Sequence, residues 1–270
     1  MTVKVGFENL PAPIIKHLNN VMNMRPVYPH VYHVTELTMC LRKAYYRRVY
    51  GGGQRGVKGL WNMYRGSVLD SAWSPLFDFN QRTFVVTKRE VTITGTCDFV
   101  YDDGSGSILY DLKMPASTYY RRREGAGQGY RRQCAAYLAL AHANGELVDV
   151  HRARVLMVAE EVVVEEVGEW TDMLDSWLWP RAFLLDAALS SKDPSILQGP
   201  EEGWECREEF CSASTDFRIK CAYQGRDLEL PVRVSMEELE EAAKEYEFQN
   251  SVGEGRPVST VPQQEHEEGE

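Results

Sequence analysis

The sequence predicts an α/β fold in which helices cover both faces of a mixed sheet. The first observation is a hairpin pattern: two runs rich in β-branched and aromatic residues, 90–101 and 107–113, flank an Asp-Gly-Ser-Gly turn at 103–106. The second is a pair of apolar, strand-like runs at 150–158 and 162–164. Helical segments stand before, between and after these strands, and that order is typical of a layered α/β domain.

The N-terminal part predicts a lead-in followed by two helices. Residues 1–32 hold several prolines and little periodicity, which indicates a loosely packed segment. Thr35 suits the N-cap of a helix that runs to about Tyr50, where the three glycines 51–53 end it. A second helix is expected at about 62–77.

The C-terminal half predicts helices at 128–144 and 171–190, on either side of the second strand pair. A capping box opens a short charged helix at 235–250. The last residues, 251–270, are mainly Pro, Gly, Gln and Glu and predict a disordered acidic tail. The folded domain is therefore expected to span about 33–234.

Length and composition indicate one large domain with appendages. The chain has 270 residues, of which 43% are hydrophobic and 11% aromatic, enough to bury a sizeable core. No run is long and apolar enough to span a membrane, and the first residues lack the basic and apolar pattern of a signal peptide. A cytoplasmic protein without a membrane partner is the expectation.

The charge distribution divides the chain into a nearly neutral body and an acidic end. The formal net charge is −10, but residues 236–270 hold eleven Glu against two basic residues, so the first 235 residues carry a net charge near −1. Basic residues and tyrosines are interleaved in that body: Arg42, Lys43, Tyr45, Tyr46, Arg47, Arg48, Tyr119, Tyr120, Arg121, Arg122, Arg123, Tyr130, Arg131 and Arg132. Such groups suit a path for single-stranded nucleic acid, although any one cluster can equally be a solvated helix face.

The hairpin register predicts a pair of opposed carboxylates. If the loop is 103–106, counting back along both strands puts Asp98 opposite Asp111, with Cβ atoms about 5 Å apart, where like charges repel. A hard divalent cation would remove that repulsion and use the carboxylate oxygens as ligands. Lys113 points to the same face as Asp111. Two acids and a lysine on one face indicate metal-assisted phosphodiester hydrolysis, whereas acids that point to solvent are the alternative.

Two helical pairs could add side chains to such a site. Asp70 follows Gly66 by four residues, so the two share a helix face and Asp70 could lean into the site. Gln133 and Tyr137 have the same spacing on the helix at 128–144.

The six cysteines indicate a possible metal centre. They are Cys40, Cys97, Cys134, Cys206, Cys211 and Cys221. The last three stand close together, with spacings of four and nine residues, which favours ligands over disulfides in a cytosolic chain. Cys40 is a candidate fourth ligand, while Cys97 and Cys134 suit small core residues. Zinc, an iron–sulfur cluster and unligated thiols all remain open on spacing alone.

The order of these motifs resembles a known family. The residues that carry the likeness are Cys40, Arg65-Gly66-x-x-Leu69-Asp70, Gly95-Thr96-Cys97-Asp98, Asp111-Leu112-Lys113, Gln133-x-x-x-Tyr137, Cys206, Cys211 and Cys221. Over about residues 33–223 the chain resembles the CRISPR-associated RecB-like exonucleases of the PD-(D/E)xK nuclease superfamily. The resemblance implies a restriction-endonuclease-like mixed sheet flanked by helices.

The resemblance also implies roles for the acidic residues and the lysine. Asp98 and Asp111 would bind Mg²⁺ or Mn²⁺ together with the backbone carbonyl of Leu112, and Lys113 would orient the attacking water or stabilise the transition-state charge. Asp70 stands where the family usually has His. An aspartate also offers oxygen ligands to a hard cation, so it is a candidate ligand as well.

Further roles concern DNA and a cluster. Gln133 and Tyr137 match the family's Q-x-x-x-Y helix, which borders the site and contacts DNA, and Arg131 and Arg132 on the same helix are expected to contact DNA too. The four thiols would hold a [4Fe–4S] cluster, or in some relatives [2Fe–2S], and join the first helix to the C-terminal segment. These thiols are Cys40, Cys206, Cys211 and Cys221. The C-terminal spacings here are longer than the family's.

The function that the resemblance implies is a metal-dependent DNA exonuclease acting mainly on single-stranded ends. The setting would be CRISPR spacer acquisition with integration proteins, or viral or recombination DNA processing with recombination proteins. An alternative is an iron–sulfur or zinc DNA-binding or scaffold protein with a degenerate nuclease core, for which Asp70 is the best support. A third is a cysteine-ligated redox protein whose acids are structural.

Overall fold

The computed structural model describes residues 10–21, 27–50, 57–168, 170–197 and 199–200, together with Cys211 and Cys221. The glycine run at 51–53, the charged helix at 235–250 and the tail at 251–270 lie outside the described residues, so those predictions stay predictions.

The helices of the described residues precede, separate and follow the strands. They are α1 (Ala12–Val21), α2 (Val34–Leu37), α3 (Leu41–Tyr50), α4 (Val57–Trp73), α5 (Arg121–Glu124), α6 (Gln128–Ala143) and α7 (Trp179–Ser191). Short 3-10 turns follow α4 and α7 at Ser74–Leu76 and Pro194–Ile196, and a π-helical turn, Leu174–Leu178, leads into α7.

The strands form two sheets. They are β1 (Val31–His33), β2 (Phe79–Asn80), β3 (Thr83–Lys88), β4 (Val91–Thr96), β5 (Phe99–Asp102), β6 (Ser107–Lys113), β7 (Arg152–Val158) and β8 (Val162–Val167). One sheet has the order β1-β4-β3 and the other β2-β5-β6-β7-β8. Each contains one parallel pair, β1 with β4 and β6 with β7, and antiparallel pairs elsewhere. The predicted α/β class with mixed pairing is therefore confirmed.

The sequence predicted one strand at 90–101, and this is wrong because the chain bends at Cys97 and Asp98. β4 ends before this pair and β5 begins after it, and the two strands belong to different sheets. Gln81 and Arg82 break the partner strand at the same point. Their backbone groups still bond across the bend, from Gln81 N to the Asp98 carbonyl at 2.9 Å and from Cys97 N to the Arg82 carbonyl at 3.0 Å. Asp98 thus lies at the corner between the sheets.

The helix predicted from Thr35 to Tyr50 is interrupted. α2 ends at Leu37 and α3 starts at Leu41, so two shorter helices replace the single helix that the sequence predicts. The buried guanidinium of Arg181 on α7 donates at 2.6 Å to the carbonyls of both Leu37 and Met39. These bonds satisfy backbone acceptors that a continuous helix would have satisfied internally.

The N-terminal lead-in contains a helix, although its prolines led us to predict none there. Pro11 and Pro13 stand at the start of α1, where a missing backbone N–H costs nothing. The helix packs against α4: Leu18 is buried, and the ring of His17 meets Tyr64 edge-on at 5.6 Å. The described part of residues 1–32 therefore contains a helix that the sequence did not predict, although most of the side chains around Leu18 are exposed.

The core lies between the sheets and the helices α6 and α7. Buried side chains of both helices pack with strand residues from both sheets, so the position of α6 relative to the sheet corner is fixed by packing. The predicted helix at 128–144 is confirmed almost residue for residue. Across the described ranges, none of the helices combines the length and apolarity that a membrane crossing requires.

Candidate functional site

A cleft of about 500 Å³ opens at the corner between the two sheets. Its walls come from α2, α3, α4, α6 and the strand ends on either side of the bend. The predicted acids and lysine all line it, as do the Leu112 backbone and the helix pair of the Q-x-x-x-Y motif: Asp70, Asp98, Asp111, Leu112, Lys113, Gln133 and Tyr137. The tertiary structure therefore brings together side chains that are up to 67 positions apart.

Asp98 lies at the corner, in the connection between β4 and β5. The predicted hairpin register is present, with Asp102 paired to Ser107 and the ladder ending at Phe99 and Tyr110. Asp98, one residue before Phe99, lies beside β6, where its Oδ2 accepts a hydrogen bond from the Leu112 backbone N–H at 2.5 Å. The expectation that Asp98 lies within a strand is wrong, because the ladder stops one residue short of it.

Asp111 and Lys113 form a buried ion pair on β6. The Asp111 side chain is 1% exposed, and Lys113 Nζ lies 2.6 Å from its Oδ1. The other oxygen, Oδ2, is also buried and has no hydrogen-bond partner among the described residues. The pair thus contains a carboxylate oxygen that is removed from water and still lacks a donor or a cation, a costly arrangement unless a ligand completes it.

Burial and mutual charge shift the titration of this group. Burial, and next the negative charge of Asp111, raise the pKa of Asp98 to about 7. Burial also raises the pKa of Asp111 above its ordinary value, with Lys113 opposing that shift. For Lys113, burial favours the neutral form, but the neighbouring Asp111 carboxylate outweighs it and raises the pKa. Lys113 therefore stays protonated at neutral pH.

Asp70 stands on the α4 wall of the same cleft, as its helical spacing predicted. Its carboxylate accepts from Ser74 Oγ at 2.9 Å and from Gln81 Nε2 at 2.8 and 3.0 Å. Gln81 also joins its backbone N–H to the carbonyl of Asp98, so one residue positions two of the three acids. Sequence reasoning missed Gln81, since an isolated glutamine in a turn gives no signal.

Tyr137 packs beside the ion pair. It is buried, its hydroxyl accepts a hydrogen bond from Gln133 Nε2 at 2.6 Å, and burial raises its pKa. Its ring lies directly over Gly95 in β4, where an added Cβ would come within 2.8 Å of the ring and 2.9 Å of Val34. Gly95 is therefore needed because the ring occupies the space of a side chain.

Arg131 and Arg132, also predicted to contact DNA, are not among the cleft-lining residues. Arg131 pairs with Glu165 at 2.5 Å, and the Arg132 guanidinium lies 5.0 Å from the centre of the Trp177 ring. Their role in DNA binding stays a prediction.

The cysteines fall into two environments. Cys97 and Cys134 are core residues, as predicted, and burial raises the pKa of Cys97 to about 12, which disfavours a thiolate. Cys40 is buried at the start of α3, and Cys211 and Cys221 are half-buried. Cys206 lies outside the described residues. Within the described ranges, no three His, Cys, Asp or Glu residues are grouped closely enough to hold a metal ion, and this includes Asp70, Asp98 and Asp111. The four-thiol centre and a third carboxylate ligand therefore both stay predictions.

Comparison with known proteins shows a shared fold without a shared sequence family. No family model matches the chain, and no curated protein matches it. The crystal structure of SSO0001 superposes with a TM-score of 0.52 at 15% identity, covering 80% of this chain and 98% of that one. A proposed exonuclease from Eubacterium rectale gives a TM-score of 0.30 at 13% identity, covering 84% and 85% of the two chains. The likeness to SSO0001 shows a common fold.

Proposed function

We propose that this chain is a divalent-metal-dependent DNA nuclease of the PD-(D/E)xK type, acting mainly on single-stranded ends. The observation that carries the proposal is the buried Oδ2 of Asp111, which has no hydrogen-bond partner among the described residues. It lies beside the protonated Lys113 and near a second carboxylate, that of Asp98. A buried carboxylate oxygen without a partner is destabilising, and a bound cation would stabilise it.

The donor set fits Mg²⁺ or Mn²⁺. Asp98 and Asp111 offer carboxylate oxygens. The Leu112 carbonyl oxygen lies 3.5 Å from Lys113 Nζ, so it is on the same side of β6 as the ion pair. Hard divalent cations prefer such oxygen ligands. Asp70 is not grouped with these two acids as a metal ligand in the described structure, so it would join them only if its carboxylate left the bonds it accepts from Ser74 and Gln81.

The bound metal, Lys113 and the Tyr137–Gln133 pair would each have a different role in hydrolysis. A bound Mg²⁺ or Mn²⁺ would supply positive charge against the attacked phosphate and lower the pKa of water. Lys113 remains protonated, so it acts as a hydrogen-bond donor and a positive charge toward the water or a phosphate oxygen, not as a base. Tyr137 and Gln133 hold the inner wall of the cleft in place and limit the access of water to the ion pair.

Single-stranded DNA is the proposed substrate because exposed tyrosines and arginines come shortly after β6 in the sequence and form a surface beside the site. The rings of Tyr119 and Tyr120 are 56% and 65% exposed and lie 5.1 Å apart, directly before Arg121. Lys113 Nζ and the Arg121 guanidinium both lie within 5.7 Å of the centre of the Tyr130 ring, which links the site to this surface. Exposed aromatic rings beside basic groups stack unpaired bases and attract phosphates.

The decisive experiment is hydrolysis of end-labelled single-stranded DNA with Mn²⁺ or Mg²⁺. We expect cleavage by the wild-type chain and a loss of about a thousandfold in Lys113→Ala and Asp111→Asn, because both remove charges that act on the transition state. Arg152→Ala, on β7 outside the cleft, is the matched control and should cleave normally. Cleavage that persists in both site variants would refute the proposed site, and a wild-type chain that binds but never cleaves would refute the activity.

A DNA-binding or scaffold protein is the second candidate function. It is favoured by Asp70, whose carboxylate already accepts hydrogen bonds from Ser74 and Gln81. This alternative predicts that Asp111→Asn binds DNA as tightly as the wild-type chain and that no added divalent metal produces cleavage.

We further propose that the four predicted thiols hold an iron–sulfur cluster, with zinc as the alternative occupant. Two observations support a structural role: Cys40 is buried where α3 begins, and Cys221 packs against the main core. Iron, acid-labile sulfide and zinc content of anaerobically purified protein would test it. Cys40→Ser should lose the metal, whereas Cys134→Ser, in the core, should keep it.

The biological setting remains a proposal from the motif resemblance. CRISPR integration proteins and viral recombination proteins are the two candidate partners. Co-purification with each set would separate them, because only one should retain the chain at moderate salt.

A further inference from the structure

We propose that Arg47 on α3 binds a phosphate group of the nucleic-acid strand in the cleft. The inference rests on the proposed nuclease function and adds a substrate-holding residue on the wall contributed by α3. Arg47 lines the same cleft as the three carboxylates and is half-buried. Throughout the described part of the chain, no hydrogen-bond acceptor, carboxylate or aromatic ring engages its guanidinium.

Other basic residues in this part of the chain are already occupied. Arg42 is buried and donates to the carbonyls of Leu197 at 2.8 Å and Ser195 at 3.1 Å, so it ties α3 to the segment after α7. Arg48 holds both carboxylate oxygens of Glu36, at 2.8 and 2.7 Å, and donates to the Val31 carbonyl. Arg47, between them in sequence, makes none of these structural bonds.

This difference identifies a ligand-binding group. A guanidinium partly removed from water loses hydration, and when no protein acceptor replaces it, the arrangement costs free energy that an anion from outside can offset. Its planar set of donors matches two phosphate oxygens at once. A single mobile surface arginine would need no such explanation, but this one faces a cleft already lined by Asp70, Asp98 and Asp111.

The position also gives the phosphate a function. The carboxylates that line the cleft would repel a polyanionic strand, and a positive group in the same cleft offsets that repulsion. At about 500 Å³ the cleft is the size of a small-ligand site, which is room for a short stretch of a single strand. The phosphate on Arg47 is therefore either a terminal monoester or an internal diester of the strand being cut.

Binding measurements test the role apart from hydrolysis. Full-length wild type, Arg47→Gln, Arg47→Lys and Arg82→Gln would be titrated with labelled single strands in Ca²⁺, in place of Mg²⁺, over a range of salt. The strands would carry either phosphate or hydroxyl at the 5′ end, and separately at the 3′ end. Arg82 is the control because it is exposed, lies outside the cleft lining and carries the same charge.

We expect Arg47→Gln to bind about tenfold more weakly. The slope of log K against log salt concentration should become shallower by about 0.7, which corresponds to the loss of one phosphate contact on a single strand. Arg47→Lys should recover part of the affinity and Arg82→Gln should match wild type. A wild-type preference for one phosphorylated end that Arg47→Gln abolishes would identify a terminal phosphate, and an equal loss on all strands an internal one.

Equal affinity and equal salt slope for Arg47→Gln and wild type would overturn the inference while leaving the nuclease proposal intact. A wild-type chain that binds no single strand in any of these conditions would overturn both. Unchanged thermal melting of Arg47→Gln, expected because the side chain makes no bond within the described structure, confirms that the affinity change is local.

Discussion

The carboxylate corner, formed by Asp98, Asp111 and Lys113, and the basic segment at 119–124 differ in how much water reaches their charges. In the corner, the side chains of Lys113 and Asp111 are 16% and 1% exposed. In the basic segment, Arg122 and its partner Glu161 are 58% and 48% exposed. Water screens the second pair almost completely and the first very little, so equal charges have unequal consequences for stability and titration.

The largest difference should appear when each ion pair loses its cation. Lys113→Ala leaves the Asp111 carboxylate buried without a counter-charge and should lower the free energy of unfolding by about 3–5 kcal/mol. Arg122→Ala should change it little, because exposed pairs contribute little. Chemical denaturation of both variants measures the contrast. Similar losses would show that the two environments do not differ as described.

Steric fit at the corner gives the next effect. Gly95→Ala would press its Cβ into the Tyr137 ring and should cost about 2 kcal/mol, with reduced cleavage because the cleft wall shifts. Gly66→Ala on α4 is the matched control. Among the described residues its Cβ would meet Met114 Cβ alone, at 4.0 Å, and alanine favours a helix interior. Gly66→Ala should therefore melt at the same temperature or higher. The reverse order of melting temperatures would contradict the packing account.

Titration should separate the two regions as well. The pKa of Asp98 is raised from 3.8 to about 7 in the folded chain, so the unfolded state releases its proton first as pH rises. Without divalent metal, stability and melting temperature should both fall as the pH rises from about 4 to 7. Asp98→Asn should remove this share of the pH dependence and leave the share carried by Asp111. The measurement is the melting temperature of both proteins in EDTA. If the wild-type melting temperature rose between about pH 4 and 7 relative to that of Asp98→Asn, the predicted direction of the pH dependence would be wrong.

The smallest expected effect concerns the tyrosines of the basic segment. Tyr119→Ala and Tyr120→Ala should weaken single-strand binding by about fivefold each, since each removes one stacking surface. Their melting temperatures should be unchanged because both rings are exposed. Tyr101→Ala, half-exposed on β5 and without neighbouring arginines in sequence, should bind normally. Fluorescence anisotropy with a labelled single strand compares the three. Unaltered binding in both basic-segment variants would remove this surface from the substrate path.

The sequence alone was sufficient where the interactions are local. The turn at 103–106 and the alternation around it define the register that places Asp98 against Leu112 and Asp111. The helix at 128–144 and the helical spacing of Gln133 and Tyr137 were also predicted, because periodicity is a property of neighbouring residues. The same reasoning placed Asp70 on a face that reaches the cleft.

Tertiary structure decided what depends on residues far apart in the chain. The bend at Cys97 and Asp98 and the break between α2 and α3 depend on long-range hydrogen bonds, the second on Arg181, 142 residues after Met39. The need for Gly95 arises from a ring on another element. Whether an arginine is structural or available to a ligand also depends on its neighbours in space: Arg42 and Arg48 found acceptors within the fold, and Arg47 faces the cleft. Composition gives all three the same charge, but burial and hydrogen bonding determine what each charge does.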